Sequence, residues 1–304
     1  MPKVFATLIN YNSNELTQRC LESLDGLNTE GFEQSVVVVD NASKKEFTAD
    51  EKYQNFKLKI IRSEQNLGFA GGQNLGIKFA LDNGADYILV LNNDVVMDKN
   101  LIKELLKTFE TEKDCGVVSP KIYFAKGHEF HKDRYSDLEL GKVIWYAGGT
   151  IDWQNVLAFH RGVDEVDKGQ YEKVEETDFA SGCCEMVKRE VFEKVGMFDE
   201  RYFLYFEDND LSQRAKAQKF KIFYQPKAVL WHINAGSTGG SGSSLQDYYI
   251  TRNRLLFGFN YSSTRAKFAL VRESLKNVLS GRPWQKKGAL DFYLRKFGKG
   301  SYHD

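Results

Sequence analysis

Four consecutive valines, residues 36–39, set the tightest limit on how this chain can fold. Valine is β-branched and suits a pleated strand. A strand with no polar residue at alternate positions has no face to give to water, so it belongs inside a sheet covered on both sides. The run stops at Asp40, Asn41, Ala42 and Ser43. The pattern recurs along the first third of the chain. Residues 4–9 are apolar and end in Asn10, Tyr11 and Asn12, and residues 87–91 end in Asn92, Asn93 and Asp94. A further strand at 58–61 leads into a glycine-rich turn and a helix reaching Ala80. Leu16, Cys20, Leu21 and Leu24 lie at helical spacing between the first two strands, and 101–109 reads as another helix. Strands alternating with helices predict a mainly parallel α/β sheet. Ligands of such sheets bind beyond the carboxyl ends of the strands, so the three polar strand ends are expected at one rim. Turn chemistry alone would also place Asn, Asp and Ser at each of these points.

The second centre of interest is 198–237. An aromatic run at 202–206 precedes Glu207, Asp208 and Asp210 at a helix start, and Arg214 follows Asp210 at i+4. Two β-like runs, 221–224 and 228–231, then deliver His232. Carboxylates walled by aromatics, with a histidine close by, can handle protons or a metal. Acidic residues in a first helical turn also favour the helix dipole whatever the function. Between the two regions, 119–180 breaks the α/β rhythm. Short β-like pieces at 122–124, 143–146 and 156–159 read as hairpins laid across the sheet, part of an acceptor wall. His128, His131 and His160 lie there and read as solvated or hydrogen-bonded rather than as ligands. The Gly/Ser segment 237–244 reads as a linker or a lid.

The chain has 304 residues, enough for one large domain or a domain with appendages, and its 42 basic and 42 acidic residues cancel. Bulk charge therefore selects no partner, and nucleic acid is not expected. The charge is unevenly placed, however: residues 252–304 carry twelve Lys/Arg against three Asp/Glu, a net of +9. A phosphate-bearing ligand or an anionic membrane suits that surface. Phe257, Phe259, Tyr261 and Phe268 in this helical tail either pack back on the core or rest on lipid. The four cysteines, Cys20, Cys115, Cys183 and Cys184, form no metal-ligand spacing and suit a reduced, cytoplasmic setting. No apolar run approaches the ~20 residues that cross a bilayer, and the N-terminus enters a strand directly without a signal peptide. These features set the expectation of a cytoplasmic protein, peripheral at the inner face of the plasma membrane.

Eight segments in order resemble the inverting family 2 glycosyltransferases of GT-A fold, in particular a bacterial rhamnosyltransferase-like branch that builds cell-surface polysaccharides such as O-antigen. They are TLINYN (7–12), VVVVDNAS (36–43), NLGFAGGQNLG (66–76), VLNNDV (90–95), WYAGGTID (145–152), RGVDEVDKGQY (161–171), the long stretch 180–215, and VLWHINAGS (229–237). The resemblance implies a GT-A domain over 1–240, with a nucleotide-sugar half (1–118) and an acceptor half (119–240). A basic helical extension, 245–304, lies outside it. Thr7, Tyr11, Asp40 and Asn41 match the nucleotide base pocket, with Tyr11 offering a ring and Asp40 an acceptor for the imide N–H of uracil or thymine. Asn66, Gly68, Gly71, Gly72 and Asn74 match the loop on the nucleotide side, where glycines admit a close ligand and the helix start favours anions.

Asn92, Asn93 and Asp94 stand where the family has an Asp-X-Asp metal motif. The first carboxylate is here an amide, leaving Asp94 as the charged member, with His232 matching a second ligand for Mg²⁺ or Mn²⁺. Asp208 matches the catalytic base, Glu207 being the alternative, and a helix start is expected to keep it ionised. An inverting displacement needs one such base and no second nucleophilic carboxylate. The expected donor is a dTDP- or UDP-sugar, with L-rhamnose one choice of sugar, and the acceptor a saccharide or lipid-linked saccharide. Two other classes compete. A sugar nucleotidyltransferase would need a basic Gly-rich loop where residues 8–11 read LINY, and a dinucleotide dehydrogenase would need G-x-G-x-x-G there. A non-catalytic nucleotide-sugar-binding module of the same shape is the remaining alternative, opposed by the intact Glu207, Asp208 and His232.

Overall fold

The structure, a computed structural model, describes residues 1–49, 53–233 and 242–303. The nucleotide-side half runs β1 (Lys3–Asn10), α1 (Asn14–Asp25), β2 (Glu33–Asn41), β3 (Lys57–Ser63), α2 (Gly68–Asp82), β4 (Tyr87–Leu91), β5 (Val95–Met97) and α3 (Leu101–Thr111). Next come β6 (Cys115–Phe124), β7 (Ile144–Tyr146), β8 (Gly149–Asp152), β9 (Leu157–His160), β10 (Glu175–Glu176) and β11 (Cys184–Lys188). The chain continues through α4 (Arg189–Val195), α5 (Glu207–Ala217) and β12 (Lys221–His232). It ends in α6 (Ser244–Tyr261), α7 (Thr264–Ser280) and α8 (Pro283–Tyr293).

The main sheet has the order β10-β12-β6-β11-β4-β1-β2-β3. β1 runs parallel to β2 and β4, β2 to β3, and β12 to β6, while β11 is antiparallel to both β4 and β6. The valine run behaves as its composition requires. Val36 and Val38 join the core cluster under α1 and α3, and Val37 and Val39 join the cluster under α2, α4 and α5. Alternate side chains thus enter opposite apolar layers, and the fold is α/β with helices on both faces.

Two expected segmentations change. Residues 122–124 are the end of β6, a long buried strand of the main sheet, and they also pair antiparallel with β7, Ile122 with Tyr146 and Tyr123 with Ile144, as the hairpin expectation required. The expected division at 118/119 therefore falls inside a strand. The runs 221–224 and 228–231 are one strand, β12, whose register on β6 shifts between Gln225 and Val229. Pro226 sits in that interval and has no N–H for the ladder. The hairpin expectation holds for β8 and β9, which pair antiparallel as a separate two-stranded sheet. The expected lid at 237–244 lies largely outside the described residues.

Of the two outcomes open for the tail, α6 takes the packed one. Arg252 and Asn253 are both fully buried in it. Asn253 Nδ2 donates to the carbonyls of Tyr202, Leu204 and Tyr205, each at 2.8 Å, and Arg252 donates to those of Arg201 and Tyr202. The segment they hold needs holding. Phe203, Tyr205 and Phe206 all have positive φ, at 65°, 69° and 74°. For bulky residues this left-handed backbone is strained.

Candidate active site

The three polar strand ends do meet. At the end of β1, Asn10 Nδ2 donates to Ser43 Oγ at 3.0 Å and to Asp40 Oδ1 at 3.4 Å. Thr17 links the third: it donates to Asn10 Oδ1 at 2.8 Å and accepts from Asn93 Nδ2 at 2.7 Å. Tyr11, 41% exposed, projects beside this network and leaves a ring available for stacking. Thr7 is fully buried and donates to Gln73 Oε1 at 2.7 Å.

Asp40 is placed differently from the expected open acceptor. It is fully buried and accepts from Ser43 N, Phe47 N and the Arg62 guanidinium. Burial pushes its pKa up, but these hydrogen bonds outweigh burial and hold the carboxyl below the ordinary value. Arg62, which sequence reading passed over, closes the edge on which Asp40 was expected to meet a base.

The glycine loop also turns inward. Gly68 has φ +71°, and a Cβ there would lie 2.4 Å from the Phe203 carbonyl oxygen. That same oxygen accepts from Phe69 N and Ala70 N, while Gly68 N donates to Asn66 Oδ1. The start of α2 thus spends its free N–H groups on the chain itself rather than presenting them to an anion. Gly71 approaches Leu67, and Gly72 approaches Ile9 and Asn41. Asn41 donates to Asn66 Oδ1 and to the Gly68 carbonyl. Asn74 bonds both ways with Phe198 and donates to Glu200. These residues lock α2 against β1, β2 and the strained segment, and the close approach that glycine permits is to protein.

Asp94 and His232 come together across β5 and β12, where His232 pairs with Val95 and Ile233 N donates to the Asp94 carbonyl at 2.8 Å. Their side chains stand 3.2 Å apart, His232 Nε2 to Asp94 Oδ1, and both residues are buried. Neighbouring ligands of an octahedral Mg²⁺ at its usual bond length are about 3 Å apart, so this pair fits a divalent ion. Among the described residues no set of three His, Cys, Asp or Glu side chains converges as a metal cage. An ion here would need oxygens from a ligand.

Asp208 is the second residue of α5, after the N-cap Phe206 and the first helical residue Glu207. Its Oδ2 accepts from Gly182 N at 2.9 Å, and its Oδ1 from Asn209 N and Nδ2 at 2.7 and 2.8 Å. Gly182 precedes Cys183, whose carbonyl accepts from Asn92 N at 2.9 Å. The carboxylate at the α5 start and the Asn92–Asp94 rim are therefore carried by adjacent residues of one turn. Burial raises the Asp208 pKa, against which its three N–H donors act. The helix start does not outweigh burial, so this carboxylate is more basic than an ordinary aspartate.

Two neighbours share the site. Glu207 is 5% exposed with Oε2 unpartnered, and burial followed by the charge of Asp208 raises its pKa well above the ordinary value. Glu185, in the middle of β11, is fully buried with neither carboxylate oxygen bonded. Burial, then the charges of Asp208 and Glu207, keep it protonated far above the ordinary range. Sequence reading missed Glu185. Its signal was a carboxyl beside Cys184, Met186 and Val187, in a strand whose other charge, Lys188, lies at its end. His160 sits on β9 with Nδ1 donating to the Trp145 carbonyl at 3.2 Å, and burial pushes its pKa down to about 4.

Comparison with known proteins adds the family. The profile of glycosyl transferase family 2 matches residues 7–196. The low-salt glycan biosynthesis hexosyltransferase Agl10 of Haloferax volcanii is 26% identical over 250 residues, covering 82% of this chain and 73% of its own. The dTDP-rhamnosyl transferase RfbF of Shigella flexneri is 28% identical over 263 residues, covering 83% and 79%. An N-acetylglucosaminyl-diphospho-decaprenol L-rhamnosyltransferase of Mycobacterium tuberculosis is 28% identical over 220 residues, covering 69% and 70%. Among solved structures, GalNAc-T7 with UDP, GalNAc and Mn²⁺ superposes with a TM-score of 0.61 at 16% identity, over 97% of this chain but 58% of that one. The mannosyltransferase PcManGT of Pyrobaculum calidifontis, with GDP-Man and Mn²⁺, gives 0.53 at 15% identity over 99% and 76%. These likenesses carry the fold, and the profile carries the family. This chain belongs to glycosyl transferase family 2 and is a glycosyltransferase of GT-A fold.

Proposed function

We propose that the protein moves a hexose from a nucleoside-diphosphate sugar to a hydroxyl of a saccharide or lipid-linked saccharide, with inversion, in the assembly of a surface polysaccharide. The observation that carries this reading is the seat of Asp208. A carboxylate made more basic by burial, and fixed by three N–H donors, stands one turn from the Asn92–Asp94 rim. In the reaction, the acceptor oxygen forms a bond to the anomeric carbon as its proton passes to Asp208. The bond from that carbon to the diphosphate oxygen breaks on the opposite face, and the electron pair leaves with the nucleotide. Burial raises Glu207 and Glu185 well above the ordinary value and favours their neutral forms, whereas three N–H donors support the charge of Asp208, which makes Asp208 the base of choice among the three.

On the donor side, Tyr11 offers the stacking surface for the base and Asn92 an amide toward the ribose, while Asn93 Nδ2, bonded to Ser13 and Thr17, ties the rim together. Asp40 contributes through Arg62 and Ser43, which it orients, rather than by an open carboxylate edge. A divalent ion, Mg²⁺ or Mn²⁺, would be held by Asp94 and His232 and would neutralise diphosphate charge when bound. A deoxythymidine nucleotide and L-rhamnose are favoured by the kinship to RfbF and to the mycobacterial enzyme, both named as rhamnosyl transferases. The site is expected to face the cytoplasm, where nucleotide sugars are made.

A thermal-shift panel tests the donor half. With Mn²⁺ present, dTDP or UDP should raise Tm by several degrees, as mass action stabilises the bound state. Removing the ion with EDTA should cancel most of that shift. Equal shifts with and without the ion would remove Asp94 and His232 from the donor site.

A further inference from the structure

β6 has different partners on its two edges, and the site lies where they end. β12 runs along one edge and brings His232 beside Phe124. The other edge passes from β11, at Val117 and Val118, to β7, at Ile122 and Tyr123. The turn that enters β11 carries Gly182, whose N–H holds Asp208, so Asp208 is seated where β7 takes over. Tyr146 of β7 ties the two together by donating to the Phe179 carbonyl at 2.7 Å, three residues before Gly182. Burial raises the Tyr146 pKa and the charge of Asp208 adds to it, which puts β7 within the field of that carboxylate.

Trp145, one residue earlier on β7, meets the other half of the site. Its ring lies 4.8 Å from that of His232, edge to face at 77°, and 4.3 Å from that of His160, at 65°. His232 stands 3.2 Å from Asp94, so Trp145 adjoins the pair that fits a divalent ion. Packing does not account for all of this side chain. It is only half-buried, and its indole N–H has no hydrogen-bond partner among the described residues. Trp231, on β12, by contrast donates to the Gly141 carbonyl at 3.0 Å. A tryptophan set into a structure ordinarily places its N–H on an acceptor. A sugar supplies what this one lacks: C–H groups for the ring and hydroxyl oxygens for the N–H.

We propose that Trp145 holds the transferred sugar of the donor, with its ring against one face of the pyranose and its N–H toward a hydroxyl. The proposal deepens the functional reading and rests on it. Asp94 and His232 would hold an ion against the diphosphate, and the sugar is the next group along the ligand. A side chain that touches His232, on the strand that adjoins the seat of Asp208, therefore stands beside that sugar. Its part is to bind and orient the sugar, and no proton passes through it.

Equilibrium binding to the whole chain in Mn²⁺ tests this without an acceptor. The probes are UDP and dTDP, each beside its sugar conjugates: UDP-glucose, UDP-galactose, dTDP-glucose and dTDP-L-rhamnose. For the conjugate that wild type binds best, Trp145→Ala should raise Kd by about tenfold, since roughly 50 Å² of apolar contact is lost. The Kd of the matching bare nucleotide should stay within about twofold. Trp145→Phe keeps a ring and should retain most of the sugar affinity. Trp145→Leu fills the packing space without a flat ring, so it should repeat the alanine result in a protein of near wild-type Tm. An unchanged conjugate Kd in the alanine or leucine variant would overturn the assignment. Equal losses for nucleotide and conjugate would overturn it too, because the ring would then act only by shaping the His232 pair. Wild-type protein that binds no nucleotide at all would remove the functional reading and this assignment with it.

Discussion

At the scale of single residues, the site is governed by how burial sorts three neighbouring carboxyls. Asp208 has three N–H donors to support its charge, whereas Glu185 has none and Glu207 leaves one oxygen bare. The donors favour the charged form of the first, and burial favours the neutral form of the others. Because the base must be ionised, kcat/KM should rise with pH through an acid limb lying above 3.8, the ordinary aspartate value. Glu185 also leaves a mark on stability. Its pKa is raised on folding, so its contribution is intact below the ordinary value of 4.5 and is lost as pH climbs toward the folded pKa. Glu185→Gln removes that loss at nearly constant shape. The variant should match the wild type near pH 4 and become progressively more stable in comparison toward pH 7, by at most about 1.4 kcal/mol per pH unit. A Tm difference independent of pH would contradict the buried, protonated state. The carboxyl in β11 was visible in the sequence, but which charges faced it was not, since Glu207 and Asp208 are more than twenty positions away along the chain.

At the scale of elements, the segment before α5 is a strained loop clamped from both sides. α2 closes on the Phe203 carbonyl through Phe69 N and Ala70 N, and α6 closes on Tyr202, Leu204 and Tyr205 through Asn253. Asn253→Ala should destabilise the protein by about 1–3 kcal/mol, the usual cost of leaving buried polar groups unsatisfied. It should also lower kcat more than it changes donor KM, because the loop carries Asp208 into place. Asn253→Asp keeps the size but presents only acceptors to three carbonyls, so it should be at least as damaging as alanine. A variant with wild-type Tm and kcat would show that the clamp is dispensable. Gly68→Ala should likewise destabilise, since φ of +71° and the Phe203 oxygen both oppose a Cβ. None of this was legible in sequence. A glycine before a helix signals a turn, but the partner that requires it lies over a hundred residues later.

At the scale of the whole molecule, the sheet was legible and the inserts were less so. The valine run, the polar strand ends and the acidic helix start rest on local chemistry, and each came out where pattern placed it. Residues 122–124 pair with 144–146 as expected, but they are also the end of a main-sheet strand, and only their pairing with β12 reveals that. Asp40 kept its place at the rim but turned its carboxylate to Arg62, a choice no spacing encodes. On the proposed reading the layout separates two tasks: donor and ion at the rim beside Asp94 and His232, and proton removal at the head of α5. That separation is the central claim, and a paired comparison of Asp208→Asn and Asp94→Ala tests it most directly, with transfer rate and nucleotide affinity measured on each. Asp208→Asn should keep wild-type nucleotide affinity in Mn²⁺ while turnover falls by roughly 10²–10⁴-fold. Asp94→Ala should weaken the nucleotide itself. Retained turnover in Asp208→Asn, or equal loss of nucleotide affinity in both variants, would contradict the account.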